Sequence, residues 1–177
     1  MRVIAGLYRS RKLQSLEGHQ TRPMLDRIRE TMFNILQFEI PGKAFADLYS
    51  GTGAVGIEAL SRGAKAATFV EDNPKAVRII ESNLNALGAE NDARVRMRKV
   101  EEAIPEIEAD IWFLGPPYSA MEEYTKTLTA LGERGVDLAI AQHDRKLDLP
   151  EQFGTLHKAR TVNIGSNALT FYRPKSD

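Results

Sequence analysis

The sequence predicts an α/β fold: a mostly parallel sheet covered by helices on both faces, finished by an antiparallel hairpin and preceded by a small basic hairpin and helix. Three observations carry this. From Lys43 onward, apolar runs of strand length alternate with amphipathic helical stretches, the pattern of repeated strand-helix-strand units. The last two strand-like runs are joined only by Gly165 and Ser166, too short for a crossover and right for a hairpin. A glycine-rich turn, Asp47-Leu-Tyr-Ser-Gly-Thr-Gly-Ala-Val-Gly56, links the first strand of the alternating region to its first helix, where open α/β sheets bind ligands.

The elements follow in order. Residues 2–5 and 11–16 read as two short strands around Gly6 and a basic turn. Leu25, Ile28, Met32, Ile35 and Leu36 recur at helical spacing, so a helix is expected over 24–38, closed by Pro41 and Gly42. Candidate strands lie at 44–49, 66–71, 94–98, 109–114 and 136–141, with helices near 54–62, 74–87, 101–107 and 121–133. Strand-like runs at 155–164 and 167–173 complete the chain. Residues 1–42 therefore read as a basic hairpin and helix extension, and 43–177 as one compact unit.

Composition narrows the function. A chain of 177 residues with 42% hydrophobic content can bury one sizeable core. The absence of cysteine excludes disulfides and thiolate metal sites and suits a reducing cytoplasm. His19, His143 and His157 are scattered, so no metal site is expected; His19 and His143 read as solvent-facing loop residues without a role. No stretch approaches the run of about 20 apolar residues that spans a bilayer, so no membrane association is expected. Net charge is zero, yet residues 1–30 carry seven Lys/Arg against three acids. A basic front on a slightly acidic body suits a polyanion docking at one side.

The glycine turn meets a ligand. Gly51 and Gly53 let the backbone turn tightly and approach it, and Gly56 lets the next helix pack closely on the strand. Such a pattern also fits a dinucleotide, and acids decide between the two. Asp47 precedes the glycines, where it can meet a cationic amino-acid moiety but would oppose a pyrophosphate. Glu71 ends the second strand, where a ribose diol would be gripped, and Glu101 or Glu102 follows the third, where an adenine amino group could be met. Acids at three successive strand ends favour S-adenosylmethionine over NAD.

Three segments carry a family resemblance: Thr21-Arg-Pro-Met-Leu-Asp-Arg-Ile-Arg-Glu-Thr-Met-Phe-Asn34, then Asp47 to Arg62, then Gly115-Pro-Pro-Tyr118. Together they resemble the RsmD-type ribosomal RNA guanine-N2 methyltransferases, nearly from end to end. The resemblance implies a Rossmann-like, seven-stranded S-adenosylmethionine-dependent methyltransferase fold and transfer of a methyl group to the exocyclic N2 of a guanine in bacterial 16S rRNA. It implies a cofactor site of Asp47, Ser50, Gly51, Gly53, Gly56, Glu71, Asp72, Glu102 and Ala103, and a catalytic loop of Gly115, Pro116, Pro117 and Tyr118. The expected partner is 16S rRNA within a small-subunit particle, met by a monomer without metal.

The family's catalytic tetrapeptide is Asp or Asn, then Pro-Pro, then Tyr or Phe. An exocyclic amine is a poor nucleophile until acceptors grip its hydrogens and turn its lone pair toward the methyl. The acidic or amide side chain is one acceptor and the carbonyl of the first proline another, while the aromatic ring stacks on the base. Here position 115 is glycine, so one acceptor is missing, a loss expected to cost about 10² to 10³ in rate. Gln142 likewise stands where an acid is expected after the fifth strand.

On the RNA side, Arg9, Arg11, Lys12, Arg22, Arg27 and Arg29 are candidates for phosphate contacts, and Tyr8 for stacking on a base. Arg27 and Arg29 could instead pair with Asp26 and Glu30 on the helix surface. Two other readings stay open: an S-adenosylmethionine-binding RNA-binding protein with weak or no catalysis, and an amine methyltransferase acting on another nucleic acid.

Overall fold

The computed structural model describes residues 1–16, 23–117 and 121–177. Helix α1 (Pro23–Ile35) is followed by β1 (Ala44–Leu48), α2 (Ala54–Ser61), β2 (Ala66–Val70), α3 (Pro74–Leu87), β3 (Ala93–Arg96), α4 (Val100–Ala103), β4 (Ile111–Leu114), α5 (Met121–Arg134) and β5 (Ala139–Asp144). Three more strands close the chain: β6 (Gln152–Phe153), β7 (Leu156–Ile164) and β8 (Asn167–Pro174). They form one sheet of eight strands in the order β3-β2-β1-β4-β5-β8-β7-β6. The first five strands run parallel and β6, β7 and β8 pair antiparallel.

The sheet's two faces explain the apolar runs. In β4, Ile111 and Phe113 point to the side of α1, with Ile28, Met32 and Phe33, whereas Trp112 and Leu114 point to the side of α4 and α5, with Leu128 and Leu131. A parallel strand buried on both faces needs apolar residues at every position, and β4 is buried throughout. Local signals set the ends of α3: Asn73 caps it through Lys75 N at 3.0 Å, Pro74 opens it, and Gly88 closes it at φ 67.

The structure departs from expectation in five places. The amino-terminal strands reduce to one antiparallel bridge, Arg2 to Lys12; the segment is held instead by α2. Helix α1 ends at Ile35, and a turn in which Ile40 N donates to Leu36 O at 3.0 Å carries Leu36 and Ile40 into the core. Helix α4 is four residues long because Pro105 converts its continuation into a single 3₁₀ turn, Ile104–Glu106. The sheet has eight strands rather than seven because β6, two residues long, is too short to show an alternation. His143, expected in a solvent-facing loop, is buried in β5, with Nε2 2.7 Å from Thr170 Oγ1. Among the described residues no helix is long and apolar enough to cross a membrane.

Candidate functional site

The strand order reverses direction between β1 and β4: the chain builds outward from β1 through β2 to β3, then returns to place β4 on the other side of β1. At such a switch point the two following loops diverge and leave a crevice at the carboxyl ends of the strands. The two loops are those singled out in the sequence. Leu48 is in register with Leu114, so the turn after β1 and the Gly115 loop after β4 leave the sheet side by side.

Asp47, the last acid before the turn, is fully buried. Its Oδ2 accepts from Gly56 N at 2.9 Å, and Gly56 is the third residue of α2, whose cap Gly53 has no side chain to offer. The carboxylate therefore satisfies one of the orphan amides of the helix from across the turn. Its other oxygen, Oδ1, is buried with no hydrogen-bond partner among the described residues. Burial pushes the Asp47 carboxyl up to about 8, against the lowering effect of Gly56 N and with help from the nearby negative charge of Glu71. A buried, unpartnered carboxylate oxygen calls for a proton or a cationic ligand group.

Around it the turn is tightly tied. Ser50 Oγ donates to Asp47 O at 2.6 Å, Ser50 N to Val70 O at 2.9 Å, and Gly53 N to Ser50 O at 2.9 Å. Gly56 packs so closely that a Cβ there would stand 2.4 Å from Phe69 Cε1. A Cβ on Gly51, by contrast, would meet nothing within 4 Å, so the backbone there borders open space. Glu71 spans the turn: Oε2 accepts from Gly51 N at 2.9 Å and Oε1 from Asn73 N at 3.1 Å. Each oxygen keeps a second lone pair for a diol. An amino-acid cation at Asp47, a backbone-lined opening at Gly51 and a diol acceptor at Glu71 fit S-adenosylmethionine.

Tyr49 has a positive φ of 59. Its ring packs on the α5 side, where its hydroxyl lies 2.8 Å from Thr127 Oγ1 and donates to Glu123 Oε2 at 3.3 Å. Pro116 is buried and Pro117 exposed; Tyr118 lies outside the described residues. Asp72 and Glu102 are exposed, and Ala103 is buried under the sheet.

The basic candidates divide. Arg9, Arg11, Lys12 and Arg27 are exposed, although Arg11 also donates to Ala86 O at 2.7 Å. Arg22 lies outside the described residues. Arg29 is turned inward: at 4% exposure it donates to Arg2 O at 2.7 Å and to Asp26 Oδ1 at 3.3 Å, so it holds the amino-terminal segment against α1 and does not reach a phosphate. The alternative pairing with Asp26 is present for Arg29, between a buried guanidinium and a partly exposed carboxylate. Tyr8 is half-buried, packed against the core between α2 and α3, where burial raises its hydroxyl above the usual tyrosine range.

Sequence reasoning passed over Glu58 and Ser61, which hold the basic amino-terminal segment in place. Glu58, fully buried, accepts from Ile4 N at 2.9 Å. Ser61 accepts from Leu7 N through its carbonyl at 2.8 Å and from Tyr8 N through Oγ at 2.9 Å, and its hydroxyl donates to Ala5 O at 2.5 Å. Their signal was a glutamate and a serine on a helix that is otherwise apolar all round.

The family described as conserved hypothetical protein 95 matches residues 1–173. A Haemophilus influenzae protein named ribosomal RNA small subunit methyltransferase D is 33% identical over 181 residues, 96% of this chain and 92% of that one. Among solved structures, the Escherichia coli protein yhhF superposes with a TM-score of 0.86 at 27% identity, covering 100% of this chain and 99% of the other. An RNA methyltransferase from Salinibacter ruber, solved with S-adenosyl-L-homocysteine, shares the fold at a TM-score of 0.67 and 17% identity, over 89% of this chain and 95% of its own.

Proposed function

The chain belongs to the family described as conserved hypothetical protein 95, the RsmD-type methyltransferases, and from that premise we propose that it methylates the exocyclic N2 of a guanine in 16S rRNA of the small ribosomal subunit. The coarser part, an S-adenosylmethionine-dependent RNA methyltransferase, follows from the family and from its relatives. The guanine, the small-subunit particle and a monomeric cytoplasmic enzyme belong to the proposal.

One observation carries it: the buried, unpartnered oxygen of Asp47 and the Gly115-Pro116 loop flank the same switch point. S-adenosylmethionine supplies a methyl group on a sulfonium, an electrophile that needs no metal. The chain does the rest. Asp47 Oδ1 holds the cofactor's amino group, the Gly51 backbone leaves room for it, and Glu71 takes the ribose. Pro116, with its ring fixing φ, aims its carbonyl at the target amine and grips one hydrogen, so that the lone pair turns toward the methyl. Arg9, Arg11, Lys12 and Arg27 hold the RNA backbone and set the register at which one base enters.

The test is transfer of isotopic methyl from S-adenosylmethionine to small subunits that lack the modification, followed by nucleoside analysis. Label in N2-methylguanosine of 16S rRNA is the expected result. Label in another nucleoside overturns the guanine assignment. Cofactor binding without incorporation supports the second reading, an RNA-binding module without catalysis, which the missing side chain at position 115 favours.

A further inference from the structure

Taking the proposed methyl transfer as given, we propose that Gln142 is a catalytic residue: its side-chain oxygen supplies the amine acceptor that Gly115 cannot. The register brings the two together. β4 and β5 run parallel with Leu114 opposite Ala141, which sets the next residues abreast: Gly115, just past the end of β4, and Gln142, inside β5, which continues to Asp144. They also face the same way. Phe113 and Ile140 point to the α1 side of the sheet, and residues two further along parallel strands return to that side.

The distances agree. A Cβ on Gly115 would lie 3.6 Å from Gln142 Oε1. A carboxamide oxygen at position 115 would sit about 2.4 Å from that Cβ by standard bond lengths. The Gln142 oxygen thus reaches to within about 1 Å of the radius such a group would fill. Gly115 has no positive φ among the residues that do, so its backbone does not require glycine, and what distinguishes the position is the neighbour already there. The β5 backbone is pinned at this point, because Tyr124 donates its hydroxyl hydrogen to Gln142 O at 2.7 Å. The half-buried Gln142 amide itself has no hydrogen-bond partner among the described residues. A fixed backbone and an amide uncommitted among the described residues, beside the Gly115 position, are what an acceptor for a ligand hydrogen requires.

In the reaction Gln142 Oε1 and the Pro116 carbonyl each accept one hydrogen of the target amine. The amine lone pair forms the nitrogen-carbon bond as the carbon-sulfur bond breaks, its electron pair remaining on sulfur. The extra proton then passes from nitrogen to water. A neutral amide orients the amine but takes no proton.

Four full-length proteins test this: the parent, Gln142→Ala, Gly115→Asn and the double variant. Methyl transfer to under-methylated small subunits gives kcat and KM, titration with S-adenosylhomocysteine gives cofactor affinity, and thermal melting reports the fold. Gln142→Ala is expected to lower kcat about 10²-fold with KM, cofactor affinity and melting unchanged, and Gly115→Asn is expected to restore most of that loss in the double variant. A Gln142→Ala rate within twofold of the parent overturns the inference, as does a loss that Gly115→Asn leaves untouched. A parent without transfer that gains it with Gly115→Asn overturns the role of Gln142 alone. No transfer by the parent or by Gly115→Asn overturns the methyltransferase reading together with it.

Discussion

Cofactor binding is expected to expel a proton from Asp47. With the carboxyl pushed up to about 8, about nine-tenths of the free protein carries this proton at pH 7. A cationic amino group at Oδ1 requires the ionised form, so saturation with S-adenosylhomocysteine, which keeps the amino-acid moiety, should release about 0.9 proton per site at pH 7. The affinity should rise about tenfold per pH unit up to pH 8 and level off above it. Calorimetric titrations in two buffers of different ionisation enthalpy measure the release directly, since the apparent heats differ by that enthalpy difference times the proton number. Asp47→Asn should release none and bind about 10- to 100-fold more weakly. Heats that agree between buffers for the parent, or a release that survives in Asp47→Asn, would refute the assignment. In the free protein, an acid whose folded value is raised gives stability that is complete below about pH 4 and is lost progressively up to about pH 8. Asp47→Asn should flatten that slope.

Three further outcomes are expected. Gly56→Ala must displace Phe69, whose ring is fully buried, and should cost about 1–3 kcal/mol in chemical denaturation as well as weakening cofactor binding; full stability would mean that the ring can yield. Glu58→Ala removes the acceptor for Ile4 N and leaves Arg29 and Arg62 facing each other without it. It should cost about 3 kcal/mol by denaturation, and a change below about 0.5 kcal/mol would show that the clamp contributes nothing. Arg27→Ala and Arg29→Ala should separate by assay: the first weakens RNA binding and lowers the salt slope by about 1 at unchanged melting temperature, while the second lowers the melting temperature. The reverse pattern would remove Arg27 from the RNA surface.

Where the chemistry depends on neighbours in sequence, the residues alone reveal it. The turn from Asp47 to Gly56 is one continuous strand-to-helix passage, so its acid and glycines predict a ligand turn there, and the backbone at Gly51 borders open space. What depends on register is hidden. That Asp47 spends one oxygen on Gly56 follows only when α2 is seen to fold back over β1, and that Gly115 lies against Gln142 follows only from pairing β4 with β5, residues 27 apart in the chain. Arg29 is an intermediate case. It sits on the stripe formed with Met32, Phe33 and Leu36, all buried, and that spacing marks an inward position which its charge obscures. The two-residue strand β6 carries no periodicity at all.

The clamp between α2 and the amino-terminal segment has a consequence for synthesis. Ile4, Leu7 and Tyr8 bond to Glu58 and Ser61, partners more than 50 residues downstream. Because synthesis runs toward the carboxyl end, these residues emerge before their partners and can settle only once α2 has left the ribosome and formed. During that interval the basic segment is unshielded beside a structure built of RNA.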